Sequence, residues 1–569
     1  MDFQKLVDVY EELEKTSSGN TMREILADFF KTVPKENIAT ITYLTLGQIA
    51  SDYESVVLGL AEKSTLKAIK AASGMEEKKI ISVLHETGDV GLTAERALQK
   101  KPRTLVPVGK LTVQELFATL HKIAETSGAG SQEQKTNLLV SLLQKASPKG
   151  AKYLTRIVLS TLRMGVGDMT VLDALAIAYT GEKKNKEQLE SAYNICPDVG
   201  IIAETLAKKG LSGVEKMGIS VGRPIKMMLA QRIETMDELP KKMPGKVSVE
   251  GKYDGERVQA HRKKNGEIIL FSRRMENITE QFPDLITYLN KQLSGKEYVV
   301  EGEILAIDEK GNPLPFQTLM QRRRKYDVAE YVKKIPIQAK LFDVLFFNGE
   351  SYLHEPYEKR VQALKKMTQE GKHVRLAERL ETDDVQNLST FFKEMLKKGY
   401  EGIMIKSLSG EYQAGTRGWN WIKWKKEYEK ELADTFDLVV VGAFYGRGRR
   451  KGVYGALLCA VYNHEKDAFE TVTKVGTGLT DEQLAALPKQ LAKYQTDKKP
   501  ARVIVEKEMV PDVWFEPKGV LEVKAAEITQ SPFHSLGFAL RFPRFVRFRD
   551  DKTAEQATTS KEIKQMARK

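Results

Sequence analysis

Val249-Glu250-Gly251-Lys252-Tyr253-Asp254-Gly255-Glu256-Arg257 is the densest run of chemistry-bearing residues in the chain, and it marks where the fold changes. Before about Lys246 the apolar residues recur at helical spacing. After it they alternate every second residue, as half-buried strands require. Val247 and Val249 alternate with polar neighbours, and Ile268 to Phe271 form a short apolar run. Lys264-Asn265-Gly266-Glu267 lies between them, and its Asn-Gly pair predicts a hairpin because both residues tolerate positive φ. Within the quoted run, Lys252 has the setting of a covalent nucleophile. A lysine attacks only after losing its proton, and an ordinary lysine holds it to a pH of about 10.4. Neighbouring cations, a metal and an enclosed pocket lower that value. Arg257 and the close-approaching backbone of Gly255 are placed to help. A single Lys-x-Asp-Gly is more often a strand end before a turn, so companions are needed.

Upstream, Leu138, Leu139, Leu142, Leu143 and Ala146 share one helical face, and Leu154, Ile157, Val158 and Leu162 share another. Gly165 and Gly167 are expected to break that second helix, with Asp168 capping the next, which carries Leu172, Leu175 and Ala176. Downstream, strands are expected at 298–307, 338–347 and 402–407, with helices between them. From about residue 430 short strands follow at 438–443, 455–462, 469–475, 503–508 and 521–528, spaced as in a small barrel. The tail from Thr553 to Lys569 is polar, helical or frayed. The pattern predicts an all-α domain over 1–215, an α+β domain over 216–430 and a β-barrel domain over 431–569.

The composition agrees. At 569 residues the chain exceeds one ordinary core, and 41% hydrophobic with 29% charged residues describes a globular protein. Lys plus Arg outnumber Asp plus Glu by 90 to 77, a formal charge of +13. A field of that sign attracts polyanions. Two cysteines, Cys196 and Cys459, exclude a disulfide framework or a four-cysteine zinc site and fit a reducing compartment. The first residues lack the layout of a signal peptide, and no apolar run approaches the roughly 20 residues that span a bilayer. A soluble, cytoplasmic protein without membrane partners is expected.

The companions of Lys252 then appear in order. Phe271-Ser272-Arg273-Arg274, Glu301-Gly302-Glu303-Ile304-Leu305 and Leu341-Phe342-Asp343 come first. Glu401-Gly402-Ile403-Met404-Ile405-Lys406, Trp421-Ile422-Lys423-Trp424-Lys425-Lys426 and finally Arg541-Phe542-Pro543-Arg544 with Arg549-Asp550-Asp551-Lys552 complete the set. Together they resemble the covalent nucleotidyltransferases: DNA ligases, RNA ligases and mRNA-capping enzymes, whose first motif is KxDGxR. Leu154-Thr155-Arg156 through Leu162-Arg163-Met164-Gly165-Val166-Gly167 resembles the DNA-binding domain of archaeal and eukaryotic replicative DNA ligases. The resemblance spans essentially the whole chain. It is closest to the archaeal enzymes in length and implies an OB-fold for the C-terminal barrel.

The resemblance assigns roles. Lys252 would carry AMP from ATP to a 5′-phosphate at a nick in duplex DNA, serving replication, repair, recombination and cell division. Glu250 would accept from the adenine amino group, where guanine has a carbonyl, and so argues for ATP over GTP. Phe342 would stack on the base. Arg257, Arg273 and Arg417 would grip ribose and phosphate, and Lys423 with Lys425 would face the α-phosphate. Simple parity across Asn265-Gly266 sets Arg257 opposite Arg274, whereas the family pattern favours Arg273; we follow the family. Glu303 and Glu401 would hold a divalent ion, Mg²⁺ or Mn²⁺, because pyrophosphate leaves with several negative charges. Arg541, Arg544, Arg549, Asp551 and Lys552 would reach ATP by closure of the barrel.

Arg447, Arg449, Arg450 and Lys451, in a glycine-rich loop, and the run Gln321 to Lys325 are candidate DNA contacts. Gln99-Lys100-Lys101-Pro102-Arg103 lacks the paired aromatics of a sliding-clamp motif. A monomer associated with the nucleoid is expected. The competing readings are an RNA-end or capping nucleotidyltransferase using the same lysine, and a non-catalytic DNA-binding scaffold.

Overall fold

The computed structural model describes residues 1–99, 109–162, 164–233, 236–322, 328–425, 434–446, 453–525 and 527–567. It divides into two compact units, Met1–Lys425 and Lys426–Lys569, so the helical and mixed regions expected as separate domains share one unit.

The first part of that unit runs from the helix Phe3–Glu14 to the helix Val199–Glu215. One apolar core joins these helices, with Tyr10, Leu26, Phe30, Leu116, Leu154, Leu172 and Ile202 fully buried. Asp2, Ser18, Asp89, Thr112, Ser147 and Asp198 each accept a backbone N–H of the first turn of the helix they precede. Two details differ from expectation. The helix Pro148–Val158 ends before Leu162 and Gly165. Ser160 takes a left-handed φ of 52°, and the Thr161 N–H reaches back to the Arg156 carbonyl at 2.7 Å, closing the helix early. Asp168 is the first residue of the helix Asp168–Thr180, whose cap is Gly167. Its carboxylate accepts from the Tyr193 hydroxyl at 2.7 Å instead.

The mixed part holds two sheets. The first contains β1 (Leu229–Arg232), β2 (Val247–Lys252), β9 (Arg379–Thr382), β10 (Gly402–Ser407) and β11 (Arg417–Lys425), in the order β1-β11-β10-β2-β9. The second contains β3 (Glu256–Arg262), β4 (Ile268–Ser272), β5 (Tyr298–Ala306), β6 (Ile337–Phe347) and β7 (Glu350–Ser351), ordered β4-β3-β5-β6-β7, with β8 (Val374–Leu376) beside β6. Lys252 therefore ends β2, an interior strand between β10 and β9, and the Asp254-Gly255 turn passes the chain to the other sheet.

The β3–β4 hairpin corrects the parity argument. Arg262 pairs with Ile268 and Val258 with Ser272, so the connection is longer than a two-residue Asn-Gly turn. Gly266 has φ +87°, while Asn265 is not left-handed and accepts the Glu267 N–H at 3.0 Å. Gly266 thus supplies the one positive φ of a longer loop. Continued by one residue, the observed register sets Arg273 across from Arg257.

The second unit is β-rich. Its main sheet builds on β12 (Asp434–Tyr445), β13 (Tyr454–Asn463) and β14 (Ala468–Val475). β17 (Val513–Phe515) lies between β12 and the short edge strand β15 (Gln495–Thr496), and β16 (Val503–Ile504) flanks β14 at the other edge. β18 (Val520–Ala525) joins β12 to β21 (Arg544–Phe548), and β19 (Glu527–Gln530) pairs with β20 (Phe538–Arg541). The strand expected over 503–508 stops at Ile504, and Lys507–Met509 is a 3-10 turn. The tail forms the helix Ser560–Met566 behind a Thr559–Glu562 capping box. Among the described residues no helix is long and apolar enough to cross a membrane.

Candidate active site

A cavity of about 710 Å³ is lined by residues of both sheets of the mixed region. The period of two explains its wall. Cross-strand pairing puts Lys252, Gly402 and Lys425 in one row, Glu250, Met404 and Lys423 in the next, and Ser248, Lys406 and Trp421 in a third. From those rows Glu250, Lys252, Met404, Lys406, Trp421, Lys423 and Lys425 all line the cavity, one face of the sheet carrying the chemistry. From the other sheet come Arg257, Glu303 and Phe342, with Arg273 and Arg274 following β4. Every residue between 250 and 425 given a nucleotide or metal role in the sequence thus lines a single cavity. Arg274 lines it as well.

Close backbone approach explains Gly255. A Cβ there would collide with the Ile304 carbonyl and stand 2.9 Å from the Glu303 side chain. The turn after Lys252 must therefore be bare for β5 to bring Glu303 alongside. Gly402 is constrained likewise: φ is +153° and an added Cβ would collide with the Trp424 carbonyl oxygen.

The Lys252 ammonium donates to the Glu401 carboxylate, which also pairs with Lys425 at 3.1 Å. Burial raises the Glu401 carboxyl, but Lys252 and Lys425 outweigh it and hold the group below the ordinary carboxylate value. Glu303 goes the other way. Burial pushes it up to about 7, against the pull of Lys252 and Arg257, while Glu401 and Asp254 push it further up. Asp254 is raised as well, by burial and then by Glu401. Lys423 is lowered by burial and by the neighbouring Lys252 and Lys425. Glu303, Glu401 and Asp254 are crowded together, with the Lys252 and Lys425 ammonium groups on Glu401.

Crowded carboxylates are a test for a divalent ion. Among the described residues no set of three His, Cys, Asp or Glu side chains stands ready to hold a metal by itself. Glu303 and Glu401 fit a hard cation that takes its remaining ligands from phosphate and water, the usual way Mg²⁺ is bound.

Behind the cavity wall stand partners to which the sequence pattern assigns no role. Glu301 is fully buried and accepts from Arg257 at 2.8 Å, Gln259 at 3.0 Å and the Tyr412 hydroxyl at 2.9 Å. It holds the Arg257 guanidinium toward the cavity. Glu250, 3% exposed, accepts from Lys406 at 2.7 Å and from the Tyr357 hydroxyl. Lys406 was visible as the end of a quoted motif. Tyr357 belongs to no motif and is reached only through folding.

The remaining candidates lie in the second unit or outside the described residues. Arg549 donates to Asp437 at 3.0 Å and to Asp551 at 2.8 Å, and Lys552 also donates to Asp437. Asp437, which belongs to no quoted motif, is the anchor the two cations share. Arg541 stands 3.8 Å from Glu527, and Arg544 is exposed on β21. Arg447, Arg449, Arg450, Lys451, Arg323 to Lys325, Arg163 and Lys100 to Arg103 lie outside the described residues. Arg322 is described: it is buried and bound to Asp284 at 2.6 Å, so it is no DNA contact.

Comparison with known proteins matches three family descriptions. "ATP dependent DNA ligase domain" covers residues 227–425, "DNA ligase N terminus" 2–176 and "ATP dependent DNA ligase C terminal region" 450–552. DNA ligase 2 of Thermofilum pendens is 46% identical over 100% of this chain and 97% of its own. DNA ligase 1 of Methanosarcina mazei is 43% identical over 100% and 99%. The solved structure titled "Pmar-Lig_PreS3" shares the fold at a TM-score of 0.55, with 17% identity over 96% of this chain and 99% of that one.

Proposed function

The chain belongs to the ATP-dependent DNA ligases, and from that premise we propose that it seals nicks in duplex DNA through a lysyl-AMP intermediate on Lys252. The observation that carries this reading is the position of the Lys252 amine, in a nucleotide-sized cavity beside Glu401 and among Glu250, Glu303, Phe342 and Lys423. The amine attacks the α-phosphorus of ATP; a P–N bond forms, the bond to the bridging oxygen breaks and pyrophosphate leaves. The adenylate passes to the 5′-phosphate of the nick. The 3′-hydroxyl then attacks that phosphate, AMP departs and the backbone is closed. Each transfer has a good leaving group.

Glu250 accepts from the adenine amino group and Phe342 stacks on the ring. Arg257, Arg273 and Arg417 hold ribose and phosphates, and Lys423 with Lys425 stabilise charge at the transferred phosphoryl. Glu303 and Glu401 hold Mg²⁺ or Mn²⁺, which when bound neutralises charge on the departing pyrophosphate. Arg541, Arg544, Arg549, Asp551 and Lys552 serve the charging step. Arg447, Arg449, Arg450 and Lys451 grip DNA. The division into domains 1–215, 216–430 and 431–569, with an OB-type barrel last, a monomeric state and a cytoplasmic, nucleoid-associated setting belong to the same reading.

The test is sealing of a nicked duplex with ATP, ADP, NAD and GTP side by side, on DNA and RNA nicks. Sealing of DNA with ATP that disappears in Lys252→Ala supports the reading. Charging by GTP alone, or faster sealing of RNA nicks, overturns it in favour of a capping or RNA-end enzyme.

A further inference from the structure

Glu250 does not stand alone in the wall of the cavity. Lys406, on β10 and 2% exposed, places its ammonium 2.7 Å from one Glu250 oxygen and donates to the Tyr357 hydroxyl at 3.1 Å. That hydroxyl, from the helix Tyr357–Met367, donates in turn to the other Glu250 oxygen. Three aromatic rings cage the ammonium, with centroids at 4.5 Å (Phe342), 4.6 Å (Tyr357) and 4.4 Å (Trp421). Arg360 and Asp343, both fully buried and 2.8 Å apart, pair with each other nearby, and the carboxylate in contact with the Lys406 ammonium is that of Glu250.

A carboxylate has roughly four acceptor positions; Lys406 and Tyr357 occupy two, and the Ser248 hydroxyl reaches a third at 3.5 Å. The lone pairs left over belong to a carboxylate that still lines the cavity. Lys406 and Tyr357 each hold one oxygen of that carboxylate and so fix the direction in which the remaining lone pairs point. A carboxylate held this way accepts from an amine and repels a carbonyl oxygen.

We propose that Lys406, together with Tyr357, is the specificity-determining positioning element of this pocket: the pair keeps Glu250 an oriented acceptor, so that a purine triphosphate with a 6-amino group is taken and one with a 6-carbonyl is refused. This rests on the reading of Glu250 as the base contact. It adds a cation that never touches phosphate, unlike Lys423 and Lys425. It also gives the cation a hidden second tendency. With Glu250 truncated, the caged ammonium becomes the donor that a 6-carbonyl needs.

The experiment is single-turnover charging of the full-length chain with ATP and with inosine triphosphate, which carries the carbonyl. Lys406→Met is expected to lower the preference for ATP at least about tenfold, mainly by weakening ATP binding rather than the maximal rate, as expected when a built polar site loses its partner. Tyr357→Phe, which keeps the ring, should shift the ratio in the same direction. Lys406→Arg keeps the charge and should retain most of it. Glu250→Ala should charge better with inosine triphosphate than with ATP. A merely structural role for Lys406 would slow both nucleotides equally. An unchanged ratio in Lys406→Met overturns the proposal, and should that variant not fold, an unchanged ratio in Tyr357→Phe does so. Absence of charging of the unaltered chain by either nucleotide overturns the nucleotidyltransferase reading itself, and is distinguishable because it appears before any variant is made.

Discussion

The chemistry of the cavity rests on a few side chains that never meet substrate. Glu301 is one. Its carboxylate, at 0% exposure, fixes Arg257, and Glu301→Ala would leave a buried guanidinium unpaired. A loss of about 3 kcal/mol is expected from breaking such a pair, with weaker ATP binding. Chemical denaturation and nucleotide titration read the two effects, and unchanged stability would refute the positioning role. Gly255 is another. Gly255→Ala forces β5 away from the Lys252 turn, and charging should fall steeply in a chain that still binds DNA. His261 gives a pH signature. It is fully buried, with one ring nitrogen accepting the Gly222 N–H at 3.1 Å and the other 2.8 Å from the Gln259 amide oxygen. Burial and then Lys263 lower it from 6.5 to about 3. Between those values the unfolded chain binds the extra proton, so stability falls as pH drops from about 6.5 toward 3. Urea midpoints across that range should show the slope, and His261→Gln should flatten it.

At the scale of elements, the same close packing governs the helices. The helix Val90–Leu98 crosses Pro148–Val158 at Gly91, where a Cβ would stand 2.8 Å from the Lys152 carbonyl. Gly91→Ala should therefore cost about 1–3 kcal/mol of stability by overpacking, read as a lower Tm. A rise in Tm would contradict that geometry. Elements with a strong local period were legible in the sequence: β10 begins and ends at the expected residues, and the helical faces of Leu139 and Leu154 are core. Helix ends were less so. Ser160 in a left-handed conformation leaves no compositional trace, and Gly165 drew the eye instead. The hairpin shows the same weakness, since Asn-Gly marks a turn without fixing its length. Within the site, Lys252, Glu250, Glu303 and Glu401 were legible because motif spacing and strand parity report them. Tyr357 was not, because it reaches Glu250 across 107 residues and no local pattern carries that contact.

Across the whole molecule, a net charge of +13 on 569 residues implies that phosphate contacts dominate the grip on DNA. The logarithm of the binding constant for nicked duplex should fall linearly with log salt, at a slope of about −0.9 per phosphate neutralised. Replacing Arg449 and Arg450 by alanine should shallow that slope without abolishing charging by ATP; an unchanged slope would remove the loop from the DNA contacts. All of these effects presuppose one covalent event. Incubation of the unaltered chain with ATP labelled at the α-phosphate and magnesium, followed by peptide mapping, tests it most directly. One acid-labile adenylate on the peptide containing Lys252, absent in Lys252→Ala and discharged by nicked DNA, is the predicted result. A label on any other residue, or none on folded protein, would contradict it.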